Sequence, residues 1–216
     1  MTQRAGIAFF DVDRTVLRRS SGRYFLLLGV RQGLFPVTSL IHLQIAYLRY
    51  WLGWPRGYPS WEFPILRGRT RSELEELAAR SFPYLKKQIY PQAEQLIASL
   101  RASGQRVVFA TFSLDLIVGH LARHLGLDGL LASRLEFSGE RATGRFEGKP
   151  LLKEEKKRRV LEYIRQQGLE PKDCSFYSDS IHDLPLLEAV GEAVAVNPDL
   201  RLARTARRRG WRILRF

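Results

Sequence analysis

Three short apolar runs, far apart in the chain, each end abruptly at side chains that can carry chemistry. They are Ile7–Phe10, residues 106–111 and residues 174–177. Apolar runs of this length are typical of strands that are buried on both faces of a sheet. Segments with helical periodicity separate them, and alternating strands and helices predict a parallel sheet covered on both sides. The sequence therefore predicts a three-layer α/β fold.

Polar residues follow each predicted strand. Asp11 and Asp13 follow the first run, Thr111 ends the second, and Asp179 and Asp183 follow the third. Since Asp and Thr are common in turns, any one of these stretches also fits an ordinary strand-to-loop turn. Ligands of open α/β sheets, however, bind at the carboxyl ends of the strands, where all of these residues would meet. We therefore expect one shared site at that edge.

A site with several carboxylates needs a cation to offset their repulsion. Magnesium suits this role because it takes one or two carboxylates, retains water and leaves room for a phosphate. A lysine would complete the charge balance, and the charged helix predicted from residue 153 offers Lys153, Lys156 and Lys157. The sequence thus predicts a Mg²⁺ site beside a lysine.

The order of the motifs resembles a known family. FFDVDRT at residues 9–15, FATFS at 109–113, a lysine on a helix, and YSDSIHDLPLL at 177–187 follow one another along the chain. This arrangement resembles the haloacid dehalogenase (HAD) superfamily of phosphatases, and most of all its phosphoserine-phosphatase-like branch (HAD-IB). The resemblance implies a Rossmann-like parallel core of residues 1–17 and 92–216, with an inserted helical cap of residues 18–91.

The resemblance also implies catalytic roles. Asp11 would be the nucleophile that forms an aspartyl-phosphate, and a carboxylate suits this role because it is ionised at neutral pH. Asp13 would protonate the leaving oxygen and later accept a proton from water. Thr111 and Ser113 would bind the substrate's phosphoryl group. Lys156 would stabilise the phosphoryl group in transfer, since its spacing to the later motifs fits the branch better than that of its neighbours.

Metal ligands follow from the same resemblance. Asp11, Asp179 and the main-chain carbonyl of Asp13 would bind Mg²⁺, and Asp183 would orient a metal-bound water. The implied function is that of a magnesium-dependent phosphomonoester hydrolase acting on a phosphorylated small molecule.

The sequence departs from the branch where a substrate would be recognised. Phosphoserine phosphatases resemble one another in a glutamate shortly after the first motif, which helps to hold the substrate's amino group. Residues 17–22 of this chain read LRRSSG and contain no acid. A basic and apolar cap suits a small or amphipathic anionic phosphomonoester better than phosphoserine, with lysophosphatidate as one candidate.

The formal charge of +13 suggests anionic partners. An alternative function is therefore a basic peripheral module that docks on acidic membrane or nucleic acid, with a vestigial phosphatase pocket. The C-terminal arginines have no groove or aromatic platform, so a solvated face is the simpler interpretation and nucleic acid is not the expected partner.

Residues 24–54 are almost wholly apolar, which predicts two helices, either packed in a cap or lying at a membrane interface. Cys174 is the single cysteine and is predicted to be a core residue. Without an evident signal peptide, the expected location is the cytoplasm. His120 and His124 have the spacing of metal ligands but no third ligand nearby, so we expect them to pack on a helix surface.

Overall fold

Parallel strands form the centre of the structure, a computed structural model that describes residues 6–38, 41 and 62–216. The strands of these residues are β1 (Ile7–Phe10), β2 (Arg106–Leu114), β3 (Gly129–Ser133), β4 (Leu135–Ser138), β5 (Arg141–Phe146), β6 (Ser175–Ser178), β7 (Glu192–Val196) and β8 (Arg212–Leu214). Six of them form a parallel sheet in the order β3-β2-β1-β6-β7-β8, whereas β4 and β5 form a separate antiparallel hairpin.

Helices connect the strands, and several begin at residues that cap them. They are α1 (Ser21–Arg31), α2 (Arg71–Lys86), α3 (Pro91–Ala102), α4 (Asp115–His124), α5 (Glu154–Gln166), α6 (Leu184–Leu187) and α7 (Leu200–Arg209). Thr70 and Glu73 form a reciprocal capping box at the start of α2. The Asp199 side chain accepts hydrogen bonds from two main-chain N–H groups at the start of α7.

The side chains of β1 alternate between two apolar cores. Ala8 and Phe10 pack into a core that includes buried side chains of α1 to α4, whereas Ile7 and Phe9 pack with α5, α6 and α7. Because both faces are covered, all four residues of β1 are at most 1% exposed. This arrangement confirms the predicted three-layer α/β fold.

The segment between β1 and β2 contains α1 and α2, which pack on each other and on α4. The predicted boundaries of a core (1–17 and 92–216) and a helical cap (18–91) stay a prediction. The first helix predicted within residues 24–54 corresponds to α1, and residues 39, 40 and 42–54 lie outside the described residues. Among the helices that are described, none has the length and apolar character needed to cross a membrane.

The sequence pattern predicts two strands, residues 130–136 and 143–146, joined by a polar hairpin turn over residues 138–142. The first of these strands is wrong, because residues 130–136 belong to two strands. Gly129–Ser133 pairs in parallel with β2, whereas Leu135–Ser138 pairs antiparallel with β5. The apolar pattern runs on through the exposed Arg134, so the sequence gives little indication of the change of partner. The predicted hairpin exists, with a tighter turn at Gly139 and Glu140.

The sequence also predicts that Thr111 and Ser113 open the helix that carries His120 and His124, but this helix begins later. Strand β2 runs on to Leu114, which pairs with Ser133 across an irregularity in the register, and α4 starts at Asp115. Pairing with β3 keeps this stretch extended, and such pairing depends on tertiary contacts that a local pattern does not encode.

Three smaller predictions are confirmed. Cys174 is buried and forms no disulfide. The rings of His120 and His124 pack against Phe82, with ring centroids 6.0 and 5.5 Å away. The arginines of α7 lie on its exposed face, opposite Leu202 and Ala206 in the core.

We predict that Gly191→Ala destabilises the protein. Gly191 lies just before β7, where an added Cβ would overlap the carbonyl group of Lys172. Because a main-chain atom cannot move aside cheaply, the free energy of unfolding should fall by about 1–3 kcal/mol or more. Urea denaturation measures this change. In the control Gly119→Ala, the nearest atom lies 3.6 Å from the new Cβ, so stability should hold or rise by up to about 1 kcal/mol. Equal stability of the two variants would contradict the prediction.

Candidate active site

The carboxyl ends of three neighbouring strands bring the predicted residues together. Strand β1 lies between β2 and β6, so Asp11, Thr111 and Asp179 come from adjacent positions at the sheet edge. The N–H of Asp11 donates to the carbonyl of Tyr177 at 2.9 Å, which extends the pairing of β1 and β6 by one residue. A cavity opens at this edge of the sheet. The residues that line it include all seven predicted site residues: Asp11, Asp13, Thr111, Ser113, Lys156, Asp179 and Asp183.

Lys156 lies between two of the carboxylates. Its Nζ donates to Oδ1 of Asp11 at 3.0 Å and lies 2.8 Å from Oδ1 of Asp183. The hydroxyl of Ser178 donates to Oδ2 of Asp183 at 2.7 Å, which fixes that carboxylate. Lys156 is 2% exposed, so these ion pairs are shielded from water. Of the three candidate lysines, Lys156 is therefore the one in the cluster, while Lys153 is exposed as the N-cap of α5.

Burial shifts the acidity of this cluster. It raises the pKa of Asp11 from 3.8 to about 7, with the Asp183 and Asp13 carboxylates adding to the effect and Lys156 opposing it. Burial alone would lower the pKa of Lys156, but the two carboxylates outweigh it and the pKa of this ammonium is raised. The cluster therefore favours a charged lysine and resists full ionisation of its carboxylates.

Asp179 is the carboxylate that this network leaves unpaired. It is 6% exposed, yet no described residue forms a hydrogen bond or ion pair with its side chain. Burial and the nearby Asp11 and Asp183 raise its pKa well above the ordinary value. A buried carboxylate without a partner is costly, so this position favours a bound cation.

The donors present suit a hard cation with a partial protein shell. Among the described residues no cluster of three Asp, Glu, His or Cys side chains encloses a ready metal site. Magnesium needs only one or two carboxylates and completes its shell with water and substrate oxygens. The carboxylates of Asp11 and Asp179 fit that requirement, since both line the cavity at the sheet edge.

Asp13 is held by the start of α1. The N–H of Ser21 donates to its Oδ1 at 2.8 Å, and the hydroxyl of Ser113 donates to its Oδ2 at 3.1 Å. The two serine hydroxyls lie 2.8 Å apart. Burial raises the pKa of Asp13, although the hydrogen bonds from Ser21 and Ser113 act in the opposite direction. Asp13 is thus oriented in a setting that favours its protonated form.

Sequence reasoning missed the contribution of Ser21 to this site. It identified Ser20 and Ser21 as possible helix caps, and Ser20 is the N-cap of α1. The first N–H groups of a helix have no partner within it, so they are available to a nearby carboxylate. That signal suggests a role for the start of α1, but only the tertiary structure brings it to Asp13.

Comparisons with known proteins show the family of this chain. The model of the haloacid dehalogenase-like hydrolase family matches residues 8–188. A phosphoserine phosphatase of Mycobacterium tuberculosis is 31% identical over 216 residues, which cover 97% of this chain and 70% of that protein. A histidinol-phosphatase of Neisseria meningitidis is 28% identical over 218 residues, with 97% and 98% covered.

Among solved structures, a Bordetella pertussis protein of unknown function superposes with a TM-score of 0.87 at 29% identity, covering 98% of this chain and 99% of that one. The family model includes the ends of β1, β2 and β6, helix α5 with Lys156, and the residues after β6 that include Asp179. The chain belongs to the haloacid dehalogenase-like hydrolase family.

Proposed function

We propose that this protein is a magnesium-dependent phosphatase that hydrolyses phosphomonoesters through an aspartyl-phosphate on Asp11. The observation that carries the proposal is the buried Lys156 between Asp11 and Asp183, beside the unpaired Asp179. A fixed ammonium next to a buried carboxylate nucleophile suits phosphoryl transfer, which depends mainly on positioning and charge stabilisation. The mycobacterial and neisserial relatives, whose names denote phosphatases, support the reaction class.

In the first step, a carboxylate oxygen of Asp11 attacks phosphorus and the bond from phosphorus to the alcohol oxygen breaks. Asp13 donates its proton to the departing oxygen, a role that its raised pKa and its fixed orientation support. Thr111 lies within β2, three residues before its last residue, and lines the same cavity, where its hydroxyl would bind a phosphoryl oxygen.

In the second step, water attacks the phosphorus of the aspartyl-phosphate and Asp13 accepts a proton from that water. The bond from phosphorus to Asp11 breaks, which releases inorganic phosphate and restores the carboxylate. Asp11, Asp179 and the main-chain carbonyl of Asp13 would hold magnesium, with Asp183 reaching it through a water. When bound, magnesium would neutralise the carboxylates and the phosphoryl oxygens.

The first test replaces the nucleophile. Asp11→Asn should lower magnesium-dependent phosphate release by about 10³-fold or more, because the covalent route is lost. Release is measured across sugar, nucleoside, amino-acid, aryl and lipid phosphomonoesters, and acid-quenched wild-type protein should carry phosphate on the peptide that contains Asp11. Circular dichroism checks that the variant folds. Turnover that persists in folded Asp11→Asn would overturn the proposal.

The second test concerns Lys156. Lys156→Met should lower the free energy of unfolding by about 3–5 kcal/mol, since it leaves two buried carboxylates without their cation, and should abolish turnover. Lys157→Met, one residue further along α5, is the matched control and should keep both stability and turnover. Guanidinium denaturation and phosphate release give the two readouts. A larger loss of stability and turnover in Lys157→Met than in Lys156→Met would show that the assignment of Lys156 is wrong.

The third test uses Asp179 and pH. Burial raises the pKa of Asp179 above 3.8 in the native state. As pH rises above about 4, this carboxyl group therefore ionises first in the unfolded protein, and the metal-free native state loses stability. In EDTA, Asp179→Asn should therefore raise the melting temperature more at pH 8 than at pH 5. Added magnesium should raise the melting temperature of wild type but much less that of the variant.

Glu140→Gln, at an exposed hairpin turn, serves as the control in these melts. It should behave as wild type at both pH values and with magnesium. An equal gain for Asp179→Asn at pH 5 and pH 8, or a full magnesium shift in that variant, would contradict the assigned role of Asp179.

A further inference from the structure

The cavity has three parts: a floor formed by the carboxylates at the sheet edge, a wall of apolar side chains and a rim of arginines. It has a volume of about 650 Å³, far more than a phosphate group fills. We infer that its substrate is a phosphomonoester with an apolar body and a second anionic group, and without an ammonium group. This inference rests on the proposed phosphatase function. It concerns the alcohol part of the substrate, which leaves when the bond from phosphorus to oxygen breaks.

The wall of the cavity is built from the segment between β1 and β2 and from strands β2 and β5. Large apolar side chains from this segment and from the two strands face the same space, among them Phe25, Leu26, Phe63, Leu66, Phe112 and Phe146. Phe146 packs against Phe63 and Phe112, with ring centroids 5.1 and 5.7 Å away. Such a wall stabilises an apolar group and gives nothing to a small polar one, because burial of apolar area drives binding.

An ammonium group would find no carboxylate to bind beyond the reacting centre. Glu62 is the one acid among the described residues that line the rest of the cavity. Its carboxylate is already held by Arg145 at 3.1 Å and by Arg67 at 3.6 Å. The described residues therefore present no free negative charge to the body of the substrate.

The residues that the structure does not describe add no negative charge to the cavity. The sequence from residue 14 to residue 61 contains seven arginines and no Asp or Glu, and residues 1–5 contain no acid either. No carboxylate can therefore reach the cavity from those parts of the chain. A substrate ammonium would lose water without gaining a counter-charge, which is unfavourable.

The rim offers cations instead. Arg14, Arg18, Arg19 and Arg23 line the cavity. Arg18 lies over the ring of Tyr90 at 5.1 Å, and the charge of Arg14 partly opposes the rise that burial causes in the pKa of Asp179. Arg19 and Arg23 are exposed, and no described carboxylate forms an ion pair with either. Two free guanidinium groups beside an apolar wall suit a carboxylate or a second phosphate on the substrate.

The test is a set of three aryl phosphates that differ only in the group at the far end of the ring. They are 4-(carboxymethyl)phenyl, 4-methylphenyl and 4-(aminomethyl)phenyl phosphate, and kcat/KM is measured for each with magnesium. The anionic compound should exceed the cationic one by about tenfold, with the neutral compound between them, because each charge contributes modestly at an exposed rim. Added salt should narrow the difference.

Two variants test whether the rim arginines cause the preference for the anionic compound. The double substitution Arg19→Gln/Arg23→Gln should bring the ratio of anionic to cationic kcat/KM close to one. Arg31→Gln, an exposed arginine at the last residue of α1 that does not line the cavity, is the matched control and should keep the wild-type ratio. A second series of ethyl, butyl and hexyl phosphate should show kcat/KM rising with chain length.

Binding separates this inference from the proposed chemistry. Calorimetric titration of Asp11→Asn with the three aryl phosphates ranks them without turnover, and the same order supports the inference even if wild type hydrolyses none. A preference for the cationic compound, or an unchanged ratio in the arginine double variant, would overturn the inference while leaving magnesium-dependent hydrolysis intact. Loss of hydrolysis with the binding order preserved would overturn the proposed function alone.

Discussion

A single ammonium group between two carboxylates makes the floor of this cavity possible. Asp11, Asp179 and Asp183 all end up buried at the same sheet edge, and without Lys156 they would repel one another in a poorly hydrated space. The lysine reaches them because α5 packs its apolar residues Val160 and Ile164 into the core below the sheet. The packing of one helix thus sets the charge balance of the site.

That balance is incomplete, since three carboxylates and one ammonium leave two negative charges if all are ionised. Burial, reinforced by the neighbouring carboxylates, raises the pKa of Asp11 and that of Asp179, and the Asp179 side chain forms no hydrogen bond or ion pair with the described residues. A divalent cation is the natural complement to such a site. The same features that make the metal-free centre unfavourable are those that suit it to holding a cation beside a phosphate.

The segment between β1 and β2 is tied to the candidate active site through Asp13. Ser21 at the start of α1 and Ser113 at the end of β2 both hydrogen-bond its carboxylate, so elements from two parts of the chain orient one side chain. The same segment supplies apolar wall and basic rim to the cavity. Family membership supports a hydrolase, whereas a specific substrate has to be argued from the residues that line the cavity.

The sequence by itself determined the layered fold, the strand ends and the acidic residues, because apolar runs and their abrupt ends are local signals. It also determined that no acid lies between Asp13 and Glu62, a property that folding cannot alter. Only the tertiary structure decided the rest. It split residues 130–136 between two partners, brought the N–H of Ser21 to Asp13 and buried Lys156 rather than Lys153, since each outcome depends on which distant elements pack together.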